Sequence, residues 1–291
     1  MEGDDGTREP RTRQSIMARR SELEPARMTY RRAPQALGDR SAPLPAAAPA
    51  PLQVRWSALD VLADWPAGMI QPPPQALIGE LWVSMQAEHD ATHLLQFVRG
   101  RGLLCSDAMA TFLRAWAEDE WNHYTGLRRI YATVTSVAER TIHAQLTTIE
   151  PDFSRLLPLL PDEFALCITL TYDELANARN YGKDAARYRL LGDAAVDFVR
   201  RAARDELLHC RNAVACIAHQ HHHRLPEAGA LIARLVEHDC APDLRYRATF
   251  LFDHAPHPGY NEFGPAFFQK CDQMLIARLD KIAKGPRTCC W

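Results

Sequence analysis

The feature that most constrains this chain is a four-residue pattern that occurs twice inside long helical stretches: Glu120-Trp121-Asn122-His123 and Glu206-Leu207-Leu208-His209. At a spacing of three, the Glu and the His leave the same face of a helix about one turn apart. Each pair also lies in an apolar stripe. Trp116, Glu120, His123 and Leu127 are spaced by 4, 3 and 4 residues; Val199, Ala202, Glu206, His209 and Ala213 by 3, 4, 3 and 4. The carboxylates therefore fall where a helix buries itself, and an unpaired carboxylate is costly there. A divalent cation is the simplest neutraliser. One Glu-x-x-His is a common accident whose usual meaning is a solvated helix face. Two of them, each mid-helix and each in a buried stripe, argue for a shared metal site.

Four long helices are expected to carry that site. From about Gln75 the apolar residues recur at helical rather than strand period. The first helix is expected from Pro74 to Val98, stopped by Gly100 and Gly102; the second from a Ser106 or Asp107 cap to about Val137. The third is expected from Pro161 to Tyr181, ending at Gly182, and the fourth from Gly192 to about His219. A short connecting helix over Asp184–Leu191 and two later helices, Pro226–His238 and Pro265–Ala283, complete the pattern. A loop containing Pro256, Pro258 and Gly259 separates the last two. The fold class expected is all-α, a four-helix bundle with additional C-terminal helices.

Residues 1–52 read differently: Arg-, Pro-, Ala- and acid-rich, ending in a Pro/Ala run, they lack the apolar surface needed to offset ordering entropy and are expected to be a disordered tail. Residues 53–291 are expected to form the helical domain, and with nearly half of the chain apolar they suffice for one core. The formal charge of −2 provides no basic field for nucleic acid. No apolar run approaches the roughly 18–20 residues of a membrane span, and no secretory-type segment opens the chain. Cys167, Cys210 and Cys216 sit in apolar helical patterns, Cys289 and Cys290 are adjacent, and no CxxC pair occurs. That usage suits free thiols in a reducing cytoplasm and argues against a built-in iron–sulfur or rubredoxin-like centre.

A metal pair held by two Glu-x-x-His helices needs one further carboxylate from each remaining helix. On the third, the stripe Cys167, Thr171, Glu174, Ala178 and Tyr181 nominates Glu174, with Asp173 on another face. On the first, Leu81, Met85, Glu88, Thr92 and Leu95 nominate Glu88, with Glu80 as competitor. Glu88 lies about 11 residues before the end of its helix and Glu120 about 14 after the start of the next, so an antiparallel hairpin brings them level. Glu80 would sit roughly 8 Å off that level.

These segments resemble a known family. Arg114-Ala115-Trp116-Ala117-Glu118-Asp119-Glu120-Trp121-Asn122-His123 is similar to the second-helix motif of soluble acyl-carrier-protein desaturases, within the ferritin-like di-iron carboxylate superfamily. Glu174-Leu175-Ala176-Asn177-Ala178-Arg179-Asn180-Tyr181-Gly182 resembles their third-helix segment, and Asp205-Glu206-Leu207-Leu208-His209 their fourth-helix motif. The resemblance covers roughly residues 76–220. It implies a ferritin-like bundle with two iron ions (Fe/Fe, with Mn/Fe as the alternative pair) on Glu88, Glu120, His123, Glu174, Glu206 and His209. It further implies dioxygen as co-substrate, an external ferredoxin-type electron donor with its reductase, and an acyl carrier protein or other lipophilic substrate source. A homodimer is the candidate assembly. Asp205 is then expected to orient His123 through the outer ring nitrogen.

Two positions depart from the relatives. The desaturases carry a threonine three residues after the third-helix Glu, where this chain has Asn177; the arylamine N-oxygenases carry an extra histidine one turn before the fourth-helix Glu, where it has Ala202. The expected activity is oxidation by a dioxygen-activating di-iron oxidoreductase, of desaturase or hydroxylase type. A di-iron N-oxygenase and a ferritin-like iron-oxidising or storage protein are the alternatives. Trp116 is assigned to the core, and Tyr124, Tyr172 and Tyr181 to buried phenols bonded to backbone. His219-Gln220-His221-His222-His223 is read as a solvated helix end, and His89 and His93 as surface or helix-interface residues.

Overall fold

The computed structural model describes residues 50–66, 72–103, 106–239, 249–251 and 265–284. All of them belong to one unit, Ala47–Trp291. The expected tail up to residue 49, the Pro256–Gly259 loop and Cys289 and Cys290 lie outside the described residues. Every regular element among the described residues is helical. In chain order the α-helices are α1 (Ala58–Val61), α2 (Gln75–Gly100), α3 (Asp107–Thr135), α4 (Glu139–Leu146), α5 (Glu163–Asp184), α6 (Asp193–Gln220), α7 (Ala228–Asp239) and α8 (Pro265–Lys284). Short 3-10 turns occur at Leu157–Leu159, Tyr188–Leu191 and His222–Glu227.

Local chemistry accounts for the helix ends. Ser106 caps α3, its hydroxyl accepting the Met109 N–H at 3.2 Å, and Asp162 caps α5 through the Ala165 N–H at 2.9 Å. The turn after α2 needs Gly102 at φ 64°, and Gly192 enters α6 at φ 95°. Glu163 is buried and accepts the Ser106 N–H at 2.8 Å, the Ser106 hydroxyl at 2.6 Å and a bond from His221 at 3.1 Å. One carboxylate thus ties the starts of α3 and α5 to the end of α6. His221 is therefore docked rather than solvated, because that helix end meets the α5 N-terminus.

The long helices pair as α2 on α3 and α5 on α6, joined by α3 against α6. Two apolar clusters fix their directions. One holds Leu94 and Val98 of α2, Phe112 and Trp116 of α3, Ile168 and Leu170 of α5, and Ala213 and Ile217 of α6. The other holds Leu77, Leu81 and Met85, then Tyr124 and Leu127, then Tyr181, then Val199 and Ala202. Chain order through the clusters runs opposite in α2 and α3, and opposite in α5 and α6. Each helix therefore crosses from one apolar layer to the other, and its metal-ligand candidates lie at the crossing.

Four features differ from the expectation. The connecting helix expected over Asp184–Leu191 is a 3-10 turn over Tyr188–Leu191 alone. The helix containing Gly182 continues to Asp184, where Arg187 meets the Asp184 carboxylate at 2.9 Å and holds the last turn. Helices α1 and α4 are too short to show a period. Helix α5 is buried on nearly all faces rather than along one stripe, because α6, α7 and α8 all pack against it.

Candidate metal centre

Each of the four long helices delivers one carboxylate to the layer between the apolar clusters, and α3 and α6 add a histidine. Glu88, Glu120, His123 and Glu206 form one group whose ligand atoms all lie within 4.8 Å of one another; Glu120, Glu174, Glu206 and His209 form a second. Glu120 and Glu206 belong to both. All six side chains are buried, Glu88 the least so at 5% exposure. Glu80 lies elsewhere, facing Arg187 at 3.3 Å. Asp173 is buried outside both groups.

The distances show two imidazoles facing inward through the same atom. His123 Nδ1 lies 3.3 Å from Glu206, 3.4 Å from Glu120 and 3.6 Å from Glu88. His209 Nδ1 lies 3.1 Å from Glu120, 3.1 Å from Glu206 and 3.3 Å from Glu174. Several of these approaches are not hydrogen bonds. Glu88 Oε2, both Glu120 oxygens, His123 Nδ1 and Glu206 Oε1 are buried without a hydrogen-bond partner. Buried polar atoms ordinarily find partners. Here they converge from different helices on common points, as metal ligands do.

The outward nitrogens are held by a crossed pair of aspartates. His123 Nε2 meets Asp205 of α6 at 3.2 Å, and His209 Nε2 meets Asp119 of α3 at 3.2 Å. A carboxylate accepting the Nε2–H fixes the tautomer that leaves the Nδ1 lone pair facing inward. Asp205 is where the sequence resemblance expects it. Asp119 is missed, although the signal is present: the pattern is Asp-Glu-x-x-His in both helices, and each aspartate serves the histidine of the other helix. The outer carboxylates have their own donors. Trp116 Nε1–H donates to Glu174 at 2.7 Å, and the Tyr181 hydroxyl donates to Glu88. Trp116 is thus both core and the donor to Glu174. Each of the three phenols expected to bond backbone has a side-chain partner: Tyr124 bonds His143, Tyr172 bonds Asp239 and Tyr181 bonds Glu88. His89, buried at 3%, packs 5.1 Å from Tyr124 and 5.7 Å from His143, inside an interface formed by α2, α3 and α4.

The electrostatics divide the carboxylates into two kinds. Burial, then the neighbouring Glu120, pushes the Glu88 carboxyl well above its usual range; burial and then Glu206 do the same to Glu174. For Glu120 and Glu206 burial acts upward, but the close outer carboxyls and both imidazoles outweigh it, and both are held low. Both histidines are raised well above their usual value despite burial, chiefly by Glu88 for His123 and by Glu174 for His209. The outer carboxyls and the rings thus hold protons more tightly than the free side chains, and the shared pair less tightly.

This donor set fits two divalent cations. Once the outer carboxyls give up their protons, the four glutamates would carry four negative charges, which two divalent ions would neutralise. Carboxylate and imidazole donors without thiolate suit iron, manganese or zinc. Comparison with protein-family models, with curated proteins and with solved structures returns no match for this chain.

Proposed function

We propose that the chain is a dioxygen-activating oxidoreductase of the ferritin-like di-iron class, acting on a lipophilic or carrier-linked substrate by desaturation or hydroxylation. The observation that carries this reading is the sharing of Glu120 and Glu206 between the two ligand groups. Glu120 and Glu206 would then be held in common by two ions, and such a pair would supply two-electron chemistry toward one oxidant. Iron would supply that redox chemistry when bound, with Mn/Fe as the alternative pair.

The protein's own residues would do the rest. Glu88 and His123 would hold one ion and Glu174 and His209 the other. Asp205 and Asp119 keep the ring nitrogens turned inward, and Trp116 and Tyr181 hold the outer carboxylates in place. Burial and then the neighbouring Glu88 charge hold the Tyr181 phenol well above its usual range, so it keeps its proton and serves Glu88 as a hydrogen-bond donor. Met85, Leu127 and Val199 belong to the apolar layer that follows the ligands and exclude water from that side. An apolar chain is the substrate such walls favour.

Electrons would come from an external ferredoxin-type donor with its reductase, because no CxxC motif lies in the chain. Free Cys167, Cys210, Cys216 and Cys271 are compatible with a reducing compartment such as the cytoplasm. No helix among the described residues is long and apolar enough to cross a membrane. The absence of a histidine at Ala202, which is buried one turn before Glu206, favours this reading over a seven-ligand N-oxygenase.

The test is oxygen uptake by iron-reconstituted protein with ferredoxin and reductase, using free and carrier-linked fatty acyl substrates and following product by mass spectrometry. Substrate-dependent uptake that disappears in Glu206→Ala is expected. Mineralisation of hundreds of irons per assembly, with no organic product, would instead establish iron storage.

A further inference from the structure

The two aspartates behind the histidines are themselves held, and by a segment outside the four helices. Residues 52–58 run across the outer face of α3 and α6, anchored at both ends by asparagine side chains. Leu52 N–H donates to Asn212 Oδ1 at 2.8 Å, and Asn212 Nδ2 donates back to the Leu52 carbonyl at 2.8 Å. At the other end Ala58 N–H donates to Asn122 Oδ1 at 2.8 Å. Asn212 lies three residues after His209, and Asn122 immediately before His123. Between the anchors, Gln53 Nε2 donates to Asp119 Oδ1 at 3.0 Å and to the Ala115 carbonyl at 3.3 Å. Trp56 Nε1–H donates to Asp205 Oδ2 at 2.5 Å. The strap therefore contributes one donor to each aspartate.

We infer that Gln53 is a positioning residue for one half of the metal centre, acting through Asp119 on His209; the inference rests on the di-metal reading above. Both polar partners of the Gln53 amide are acceptors, so only its NH2 group fits there and the donor role is fixed. Asp119 has two oxygens with separate tasks. Oδ2 takes the His209 Nε2–H, and Oδ1 takes the Gln53 N–H. Loss of the second bond frees the carboxylate to rotate about its χ2, which is broad and shallow for a terminal carboxylate, and the imidazole loses its fixed direction. Asp119 is also the more accessible aspartate: its side chain is 12% exposed, against 1% for Asp205. Because Trp56 serves the other aspartate, Gln53 acts on the Glu174/His209 half and leaves the Glu88/His123 half alone.

The experiment is calorimetric titration of full-length metal-free protein with Co(II), which reports two successive binding steps without turnover. Gln53→Met keeps the length of the side chain and removes the donor. It should weaken one step by about tenfold, the low end of the range for partners of metal-bound histidines, and leave the other within about twofold with the melting temperature of the metal-free protein unchanged. Gln53→Asn keeps an amide but is one methylene short, and should act in the same direction. In an Asp119→Asn background Gln53→Met should add nothing further, since its route to His209 is already cut. Equal weakening of both steps together with a lower melting temperature would make the strap a packing element and overturn the inference. So would two unchanged steps, or effects of the two substitutions that multiply. A wild-type chain that takes up no Co(II) would overturn the metal-centre reading itself and this inference with it.

Discussion

Glu88→Gln separates the two roles of an outer ligand, because the metal-free site already treats Glu88 as a neutral group. Burial and the Glu120 carboxylate keep the Glu88 carboxyl protonated to unusually high pH. In that state its Oε1 accepts from Tyr181. A glutamine keeps that bond, its carbonyl accepting from Tyr181, and is neutral like the carboxyl it replaces. Metal-free stability should therefore change by no more than about 1 kcal/mol, the worth of one ordinary hydrogen bond. Metal binding is another matter, because the amide cannot become an anion. A wild-type protein held at a metal concentration about 100 times its Kd gains about 2.7 kcal/mol, roughly 5–11 °C of melting temperature for a domain of this size. If the substitution weakens binding about 100-fold, the same concentration equals the new Kd and the gain falls to about 0.4 kcal/mol, under about 2 °C. Thermal denaturation by circular dichroism, with and without Fe(II) under anaerobic conditions, gives all four numbers. A metal-free variant that melts more than about 4 °C below wild type would refute the neutral-carboxyl argument, and equal metal-induced shifts in both proteins would refute the assignment of Glu88 as a ligand.

Two further outcomes follow from particular contacts. Glu88, Glu174, His123 and His209 all hold protons to higher pH than the free side chains, by the burial and neighbouring charges already described. Metal and protons compete for these atoms, so apparent affinity should rise from about pH 6 to about pH 8 and binding in weak buffer should release protons; a flat profile contradicts the assignment of those groups. Gly126→Ala should cost about 1–3 kcal/mol in a denaturant melt, because a Cβ there would lie 2.1 Å from Phe198 of α6, itself fully buried; an unchanged midpoint would show that the ring swings aside freely.

What the sequence discloses about this protein is governed by range. Glu120 with His123, and Glu206 with His209, are legible because ligand and partner share one helix face, three residues apart. Glu88 is separable from Glu80 because a short hairpin fixes the level of α2 against α3. Glu174 follows from its stripe even though α5 proves to be buried nearly all round. Asp119 is harder: its partner lies on another helix 90 residues away, and only the duplication of the Asp-Glu-x-x-His pattern hints at it. Tyr181 lies 93 residues from Glu88 and Gln53 lies 66 from Asp119, separations at which no periodicity connects donor to acceptor. His221 looks solvated within its histidine run because the carboxylate that holds it, Glu163, starts a different helix.

The central claim is that two ions share Glu120 and Glu206, and anomalous diffraction at the iron edge from crystals of protein reconstituted with Fe(II) tests it most directly. The account predicts two anomalous peaks per chain, about 3.5–4 Å apart, with Glu120 and Glu206 between them, Glu88 and His123 on one side, and Glu174 and His209 on the other. A single peak, or two peaks away from these six side chains, would contradict it.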